Sequence, residues 1–452
     1  MSDDTGTTET TEEPAPTSGV DRFFRLSENN TTVRVELIAG VTTFLAMAYI
    51  AFVNPSILGE TGMDVEAVFV ATCLAAAIGT LIMGLWARYP IAQAPGMGLN
   101  AFFAFTVVLG MGIPWEVALA GTLTSGFLFF LLAVSGVRQA IIDSIPLQLK
   151  LSIGAGIGIF IAFIGLKNAG IIVPYEPTAV TMGDLTAPTT LLAIFGLIVT
   201  GLLLLRGLRG AVFYGIVITA AAGVVTQLIA PPPAIVSSVP SLSPTFGQAF
   251  LNFPEIFTTQ MLIVVFTMLF VDLLDTTGTL IAVANQAGFL DAEGRLPRGN
   301  RALISDSIAT MAGASLGTST TTSYIESAAG VGAGGRTGLT SVMTSALFLL
   351  TLAFSPLLAV VTPEVTAPAL IIVGVMMARG LGGIEWDKME YAIPAFVVVV
   401  TMPLTFSIAN GIALGLILFP LMMIFKGRAR DVHPMMYGLF LAFLVYFVFL
   451  LE

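Results

Sequence analysis

Carboxylates occur in the middle of apolar segments, where a charge is costly. Asp272 and Asp275 lie within a run, 261–284, that is otherwise typical of a membrane-spanning helix. Glu326 lies in a stretch of small and hydroxyl residues between two further apolar segments. A carboxylate in the bilayer interior costs about 2.5 kcal/mol or more, so it usually faces a partner, a water-filled cavity or a transported species. These residues predict a ligand or proton site at membrane depth.

The composition predicts that a bundle of membrane helices holds these carboxylates. The chain has 452 residues, of which 56% are hydrophobic and 10% are charged, and its mean hydropathy is +0.95. A soluble protein carries about 25% charged residues. Several apolar stretches reach the roughly 20 residues that cross a lipid bilayer as a helix. The predicted fold class is therefore an all-α polytopic membrane protein.

Other kinds of chemistry have little support in the sequence. Cys73 is the one cysteine, which excludes an internal disulfide, and no His, Cys and Asp residues cluster at metal-ligand spacing. We therefore expect no metal, no cofactor and no nucleic-acid partner. The net charge of −10 comes partly from the first residues, and segment 1–26 is predicted to be a disordered acidic tail.

Two apolar segments, the third and the tenth, are too short to cross a membrane as full helices. An extended-looking Gly/Pro stretch, 91–98, precedes one, and a hydroxyl-rich stretch, 317–323, precedes the other. Paired broken segments at matching places in two halves point to the substrate site of a transporter. About 14 spans then form a 7+7 inverted repeat with half-helices in spans 3 and 10. Whether segment 434–451 crosses the membrane stays open.

The basic residues predict the orientation. If the N-terminus is cytoplasmic, nearly all Lys and Arg residues fall on inner loops or inner span ends, as the positive-inside rule requires. Lys167, at the outer end of span 5, is the exception. We expect a multi-pass protein of the plasma membrane with its N-terminus in the cytoplasm.

The side chains near the broken spans suggest what the site binds. Asp272 and Asp275 are three residues apart, so they are predicted to share one helix face. Two close carboxylates in a low dielectric rarely both ionise, so the pair can hold a proton or accept N–H groups of a ligand. Glu326 is expected in the first turn of the half-helix of span 10 and to contact the ligand.

Span 3 offers further candidates. Asn100 has both a donor and an acceptor, and Gly98 lets the backbone approach a ligand closely. Phe102 can stack on a flat ring, although packing is the more common role. Thr322 supplies a hydroxyl from the other stretch. The excess of acceptors favours a neutral, planar ligand rich in N–H groups.

Two more acidic residues have open or peripheral roles. Asp306 in span 9 is either a proton-relay group or a structural hydrogen-bonding group, and the sequence does not separate the two. Glu36 lies near the end of span 1, where a solvated interfacial role is expected.

The chain resembles the AzgA-like purine permeases, a branch of the nucleobase–ascorbate transporter superfamily. The resemblance covers roughly 27–425. The strings that carry it are AGVTTFLAMAYIAFVNP (39–55), APGMGLNAFF (94–103), DLLDTTGTL (272–280), YIESAAGV (324–331) and GGRTGL (334–339).

The resemblance implies a core domain from 27–136 and 257–360 and a gate domain from 137–256 and 361–452. Members of the family import hypoxanthine, guanine or adenine, generally with a proton, although sodium stays an alternative. By resemblance, Asn100, Asp272 and Glu326 contact the base, and Asp275 is a neighbouring coupling carboxylate. It also implies a homodimer through the gate domain.

Two alternatives remain at this stage. One is an anion transporter of the same architecture, for sulfate or bicarbonate, against which the interior carboxylates argue. The other is an intramembrane aspartyl protease, which also needs paired Asp residues. Such catalysis requires the two carboxylates on facing helices, whereas here they share one helix.

Overall fold

The computed structural model describes residues 19–135, 145–291 and 296–449, and these are mainly helical. In chain order the helices are α1 (Gly19–Phe24), α2 (Val33–Met47), α3 (Ile50–Gly59), α4 (Val65–Ile82), α5 (Met97–Ala101), α6 (Trp115–Ser135), α7 (Leu147–Asn168), α8 (Pro188–Leu205), α9 (Ala211–Val225), α10 (Gln248–Leu251), α11 (Thr259–Ala287), α12 (Gly299–Leu316), α13 (Ser327–Gly332), α14 (Gly338–Thr351), α15 (Pro363–Ala378), α16 (Met389–Leu404), α17 (Ile408–Phe425) and α18 (Pro434–Phe449). The strands are β1 (Gln93–Pro95), β2 (Ile172–Tyr175), β3 (Ala179–Met182) and β4 (Thr321–Ser323).

Part of the segment predicted to be a disordered tail is helical. Residues 1–18 lie outside the described residues, but Gly19–Phe24 forms helix α1. The Asp21 carboxylate accepts hydrogen bonds from the main-chain N–H of Ser27, at 2.9 Å, and from its hydroxyl, at 2.6 Å. The end of the predicted tail is therefore ordered by its own acidic side chain.

The described residues confirm the helical membrane fold. Nine segments are long and apolar enough to span a membrane, and three shorter apolar helices lie among them. The long segments are Val33–Gly59, Val65–Ala87, Trp115–Ser135, Leu147–Asn168, Pro188–Leu205, Thr259–Ala287, Gly338–Val360, Pro363–Gly383 and Ile408–Phe425. The shorter ones are Met97–Gly110, Ala211–Val225 and Met389–Leu404. The total of fourteen crossings stays a prediction.

The two broken spans meet at one antiparallel ribbon. Strand β1 pairs with β4, and the partners are Gln93 with Ser323, Ala94 with Thr322, and Pro95 with Thr321. All six residues are buried. The short helices α5 and α13 each begin a few residues after one of these strands. The extended stretches predicted in spans 3 and 10 are therefore present, and they pair with each other.

The helices fall into two packing groups. In the first, α14 packs on α2 and α4, α12 packs on α4 and α6, and α11 packs on α6. In the second, α15 and α16 pack on α7, α17 packs on α16, and α8 packs on α9 and α15. The small helix α10 lies in the predicted gate segment 137–256, yet it packs on α6 and α12 of the first group.

Glu36 joins two helices of the first group. Its carboxylate is fully buried and accepts the main-chain N–H groups of Arg336 at 2.9 Å and of Thr337 and Thr340 at 3.2 Å. The Thr340 hydroxyl donates a fourth bond at 2.6 Å. The carboxylate thus satisfies the free N–H groups at the start of α14. The expected solvated role of Glu36 is wrong, because its partners lie about 300 residues further along the chain.

Replacement of Glu36 by Ala is expected to destabilise the fold. The change leaves buried N–H groups without an acceptor, which should lower the free energy of unfolding by about 3 kcal/mol and Tm by about 5 °C. Thermal unfolding of the detergent-solubilised protein measures the effect. Glu66→Ala is the matched control, because Glu66 is exposed in the first turn of α4. Equal Tm values for the two variants would contradict this role of Glu36.

Candidate functional site

The ribbon is the foundation of the site, because it places side chains from two distant segments side by side. Main-chain bonds extend the pairing beyond the strands: the N–H of Gly96 donates to the carbonyl of Thr320, and the N–H of Tyr324 donates to that of Ala92, each at 2.9 Å. Non-helical backbone at membrane depth is tolerated where its polar groups are satisfied inside the protein. Helices α11 and α12 pack beside β4 and carry the acidic residues.

Asp306 on α12 is fully buried and well supplied with donors. Its Oδ1 accepts the amide N–H of Gln93 at 3.0 Å and the hydroxyl of Ser323 at 2.8 Å. Its Oδ2 accepts the hydroxyl of Thr276 at 2.8 Å. A carboxylate with three short donors is satisfied where it stands. Of the two roles left open for Asp306, this geometry favours the structural hydrogen-bonding group.

Asp272 on α11 is almost as deeply buried, at 1% exposure, but it lacks a committed donor. The hydroxyls of Thr276 and Thr310 are each 3.4 Å from its oxygens. Each hydroxyl has one hydrogen and a closer acceptor, Asp306 for Thr276 and the Thr321 carbonyl, at 2.8 Å, for Thr310. The Thr322 hydroxyl can also donate to Asp272, but it lies 2.6 Å from the Thr276 hydroxyl, with which it forms a hydrogen bond as well. The carboxyl group of Asp272 therefore has unused capacity for a proton.

Asp275 does not share the environment of Asp272. It is exposed, whereas Asp272 is buried, although the two carboxylates interact electrostatically from neighbouring positions of one helix. Asp275 interacts electrostatically with Glu326 and Tyr324, and α11 contacts α13 there. The open carboxylate of the pair is thus Asp275. We call the exposed surface that α11 and α13 form around Asp275 and Glu326 the acidic cleft.

Glu326 lies at the position just before α13, one residue earlier than predicted, because the helix begins at Ser327. Its side chain is half-buried. The hydroxyl of Tyr49, which lies between α2 and α3, donates to the Glu326 Oε1 at 2.7 Å. One carboxylate oxygen is therefore held by the protein, and among the described contacts no second side chain donates to the carboxylate. Such a fixed, partly free carboxylate suits a ligand N–H group.

The cleft continues along one side of α11. Beyond Asp275, the exposed positions of α11 are Gly278, Ile281, Ala282, Asn285 and Gln286, which recur at helical spacing toward the end of the helix that is predicted to be cytoplasmic. A Cβ atom added at Gly278 would meet no atom within 4 Å. Ile325, next to Glu326, is 46% exposed on the opposite wall. The exposed side of α11 therefore continues toward that end, where the Gln286 amide donates to the Ala328 carbonyl of α13 at 3.1 Å.

Two of the span 3 candidates, Asn100 and Phe102, are buried in this conformation. Asn100 has no exposed surface; its Oδ1 accepts the Ser319 hydroxyl and its Nδ2 is 3.4 Å from the Pro95 carbonyl. Phe102 is likewise fully buried. A Cβ at Gly98 would lie 2.6 Å from Ile157 on α7, so this glycine permits close packing between the two helix groups. Contact of these residues with a ligand requires movement of span 3.

Three polar residues near the cleft had no predicted role. Tyr49 orients Glu326, Gln93 orients Asp306, and the hydroxyl of Tyr324 donates to the Pro95 carbonyl at 2.5 Å. The available signal was weak: an amide and two phenols inside apolar or extended segments. Their partners come from other spans, so single-segment patterns do not reveal them.

Comparison with known proteins places the chain among membrane permeases. The model of the Permease family (Xan_ur_permease) matches residues 34–414. The guanine/hypoxanthine permease PbuG of Bacillus subtilis is 55% identical over 437 residues, which cover 95% of this chain and 99% of that protein. The adenine permease AdeQ of Escherichia coli is 45% identical over 412 residues, which cover 91% and 92%.

The fold also occurs among anion transporters. The transmembrane domain of the cyanobacterial bicarbonate transporter BicA superimposes with a TM-score of 0.62 at 16% identity, over 84% of this chain and 97% of that domain. This likeness concerns the fold alone. The sequence matches, in contrast, extend through the strings that surround the acidic cleft. The chain belongs to the Permease family, and the resemblance to purine permeases found in its sequence is confirmed.

Proposed function

We propose that the protein imports purine nucleobases, of the guanine, hypoxanthine and adenine type, across the plasma membrane together with protons. The observation that carries the proposal is the acidic cleft, in which Asp275 and Glu326 interact at an exposed surface of α11 and α13. Purine bases are flat, neutral and rich in N–H donors, which match carboxylate acceptors. The names of the similar permeases support the same class of substrate.

The fold is compatible with an anion transporter, but the charged residues of the acidic cleft are not. A carrier for sulfate or bicarbonate needs cations or free N–H groups at its site, whereas this cleft presents two carboxylates. No Lys or Arg lies in the apolar spans beside it. A flux of labelled sulfate that exceeds the flux of labelled hypoxanthine would favour the anion transporter.

Proton coupling is assigned to Asp272 with Asp275 as its neighbour. Asp272 is buried without a committed donor, so a proton both neutralises it and supplies its missing hydrogen bond. The loaded core, with the base on Glu326 and the proton on Asp272, then moves past the gate without a bare charge in the apolar barrier. The two helix packing groups support this elevator-like cycle, in which the N-terminus is cytoplasmic and the gate helices form a homodimer.

Asp272→Asn is expected to abolish accumulation of purine. The amide has nearly the shape of the protonated acid but cannot release a proton, so the variant can equilibrate the base and cannot concentrate it. We expect the ratio of internal to external hypoxanthine to fall to about 1, with no response to an uncoupler, because coupling needs a second ligand whose binding differs between states. Uptake into proteoliposomes with an imposed proton gradient measures the ratio.

The matched control is Asp64→Asn, since Asp64 is an exposed N-cap of α4 and Asn caps helices equally well. It should accumulate hypoxanthine normally. Uncoupler-sensitive accumulation by Asp272→Asn at the normal rate would remove Asp272 from the coupling mechanism.

Glu326→Gln is expected to weaken binding of the base. The change replaces a charged acceptor by a neutral one, which weakens the hydrogen bond by about 1–1.5 kcal/mol, so Kd should rise about tenfold. Equilibrium binding of radiolabelled hypoxanthine to the purified protein measures Kd. Tyr49→Phe, which removes only the donor that orients Glu326, should have a smaller effect in the same direction.

Glu60→Gln serves as the control, because Glu60 is exposed at the end of α3, away from the cleft. Its Kd should equal that of the unmodified protein. An unchanged Kd in Glu326→Gln would place Glu326 outside the binding site.

A further inference from the structure

The turn between α16 and α17 contains a residue in an unusual backbone conformation. Phe406 has φ +52°, in the left-handed region that residues with a side chain rarely adopt. Its carbonyl accepts the hydroxyl of Thr106 at 3.3 Å, and Thr106 belongs to the helical segment Phe102–Gly110 of span 3. This hydrogen bond therefore joins the turn of the second packing group to span 3, which belongs to the predicted core domain. Backbone strain of this kind is often found at functional positions.

The ring of Phe406 packs against aromatic rings from span 3 and from α7. Phe105 of span 3 meets it edge to face at a centroid distance of 5.8 Å. Phe160 and Phe163 of α7 meet it in the same way at 5.3 Å and 5.8 Å. Each such pair is favourable beyond simple burial. Phe406 is thus wedged between the broken helix of span 3 and α7.

Lys167 completes the cluster. Its ammonium lies 5.2 Å from the centroid of the Phe406 ring, within the range of a cation–π interaction. Lys167 was the exception to the positive-inside rule. Its contact with the Phe406 ring accounts for a cation at the predicted outer end of span 5. Lys167 and Phe406 therefore lie at the end predicted to be outer.

Phe406 and the exposed side of α11 beyond Asp275 lie in opposite directions from the ribbon. Thr106 follows the start of α5 by nine residues, about 13 Å along a helix, in the predicted outward direction. The exposed side of α11 runs from Asp275 in the predicted cytoplasmic direction. The exposed side of α11 therefore extends from the site in one direction, and the aromatic rings around Phe406 lie in the other.

We propose that Phe406 closes the outer end of the transport path and is the positioning residue that holds the two helix groups together in the inward-open state. Its ring and carbonyl bind the core through Phe105 and Thr106, and its other ring contacts bind the gate. Opening toward the outside requires these contacts to separate. The inference rests on the proposed transport function and on the predicted orientation, but not on the identity of the substrate.

The test measures access to the cleft from the outside. Gly278→Cys places a thiol in the open space of the cleft, and a membrane-impermeant methanethiosulfonate is applied to intact cells. In the otherwise unmodified protein we expect slow labelling. Adding Phe406→Ala should raise the labelling rate at least about tenfold, because three ring pairs and a cation–π contact are lost. Adding Phe406→Tyr, which keeps the ring, should leave the rate unchanged.

Two further variants keep the test decisive. Thr106→Val removes only the hydrogen bond to the Phe406 carbonyl and should raise the rate about threefold; it decides the question if Phe406→Ala does not reach the membrane. Phe250→Ala removes a 58%-exposed Phe of the segment before α11 and should have no effect. Protein without Gly278→Cys gives the background, since Cys73 is buried.

Unchanged labelling in both Phe406→Ala and Thr106→Val would overturn the proposal. Rapid external labelling in the presence of Phe406 would also overturn it. Because no substrate is added, the result is independent of which solute the protein carries. A wrong assignment of purines would therefore be distinguishable from a wrong assignment of Phe406.

Discussion

The whole arrangement depends on one constraint: main-chain N–H and C=O groups inside a membrane must find partners within the protein. Two spans stop being helical at the ribbon, and they can do so because β1 and β4 satisfy each other. The pairing is reinforced by hydroxyl groups, for example Thr80, which donates to the Gln93 carbonyl at 3.0 Å and accepts from the Gln93 N–H at 2.8 Å. The break in each helix then supplies the site with two helix starts and a set of buried hydroxyls.

The three aspartates near the ribbon differ in their supply of donors, and this difference suggests a division of roles. Asp306 has three short donors and holds Gln93 and Thr276 in position. Asp272 competes for hydroxyls that have closer acceptors. Asp275 faces open space beside Glu326. In the proposed function Asp306 is accordingly a structural group, Asp272 holds the proton and Asp275 is its coupling neighbour.

Much of the fold could be predicted from the sequence, because its main signals are local. Hydropathy located the long helices, and the Gly/Pro and hydroxyl-rich stretches located the two breaks. The spacing of Asp272 and Asp275 located the acidic helix but did not tell which one is exposed. That depends on Thr310 and on the position of α13, which lie far away in the chain.

The same reason explains the other failures of sequence reasoning. Glu36 looked like an interfacial residue until its partners in α14 were known. Tyr49 and Phe406 act through contacts with residues from other spans. Lys167 was visible only as an exception to a charge rule. Long-range hydrogen bonds and ring contacts, rather than composition or periodicity, define what these residues do.

The central claim is that proton and base bind together at the ribbon, and the pH dependence of hypoxanthine affinity tests it most directly. Binding to the purified protein would be measured between about pH 5 and about pH 8. If a buried carboxyl group must be protonated in the loaded state, the affinity for hypoxanthine should be constant at low pH. It should fall about tenfold per pH unit above the pH at which that carboxyl group loses its proton. An affinity that does not change across this range would contradict the account.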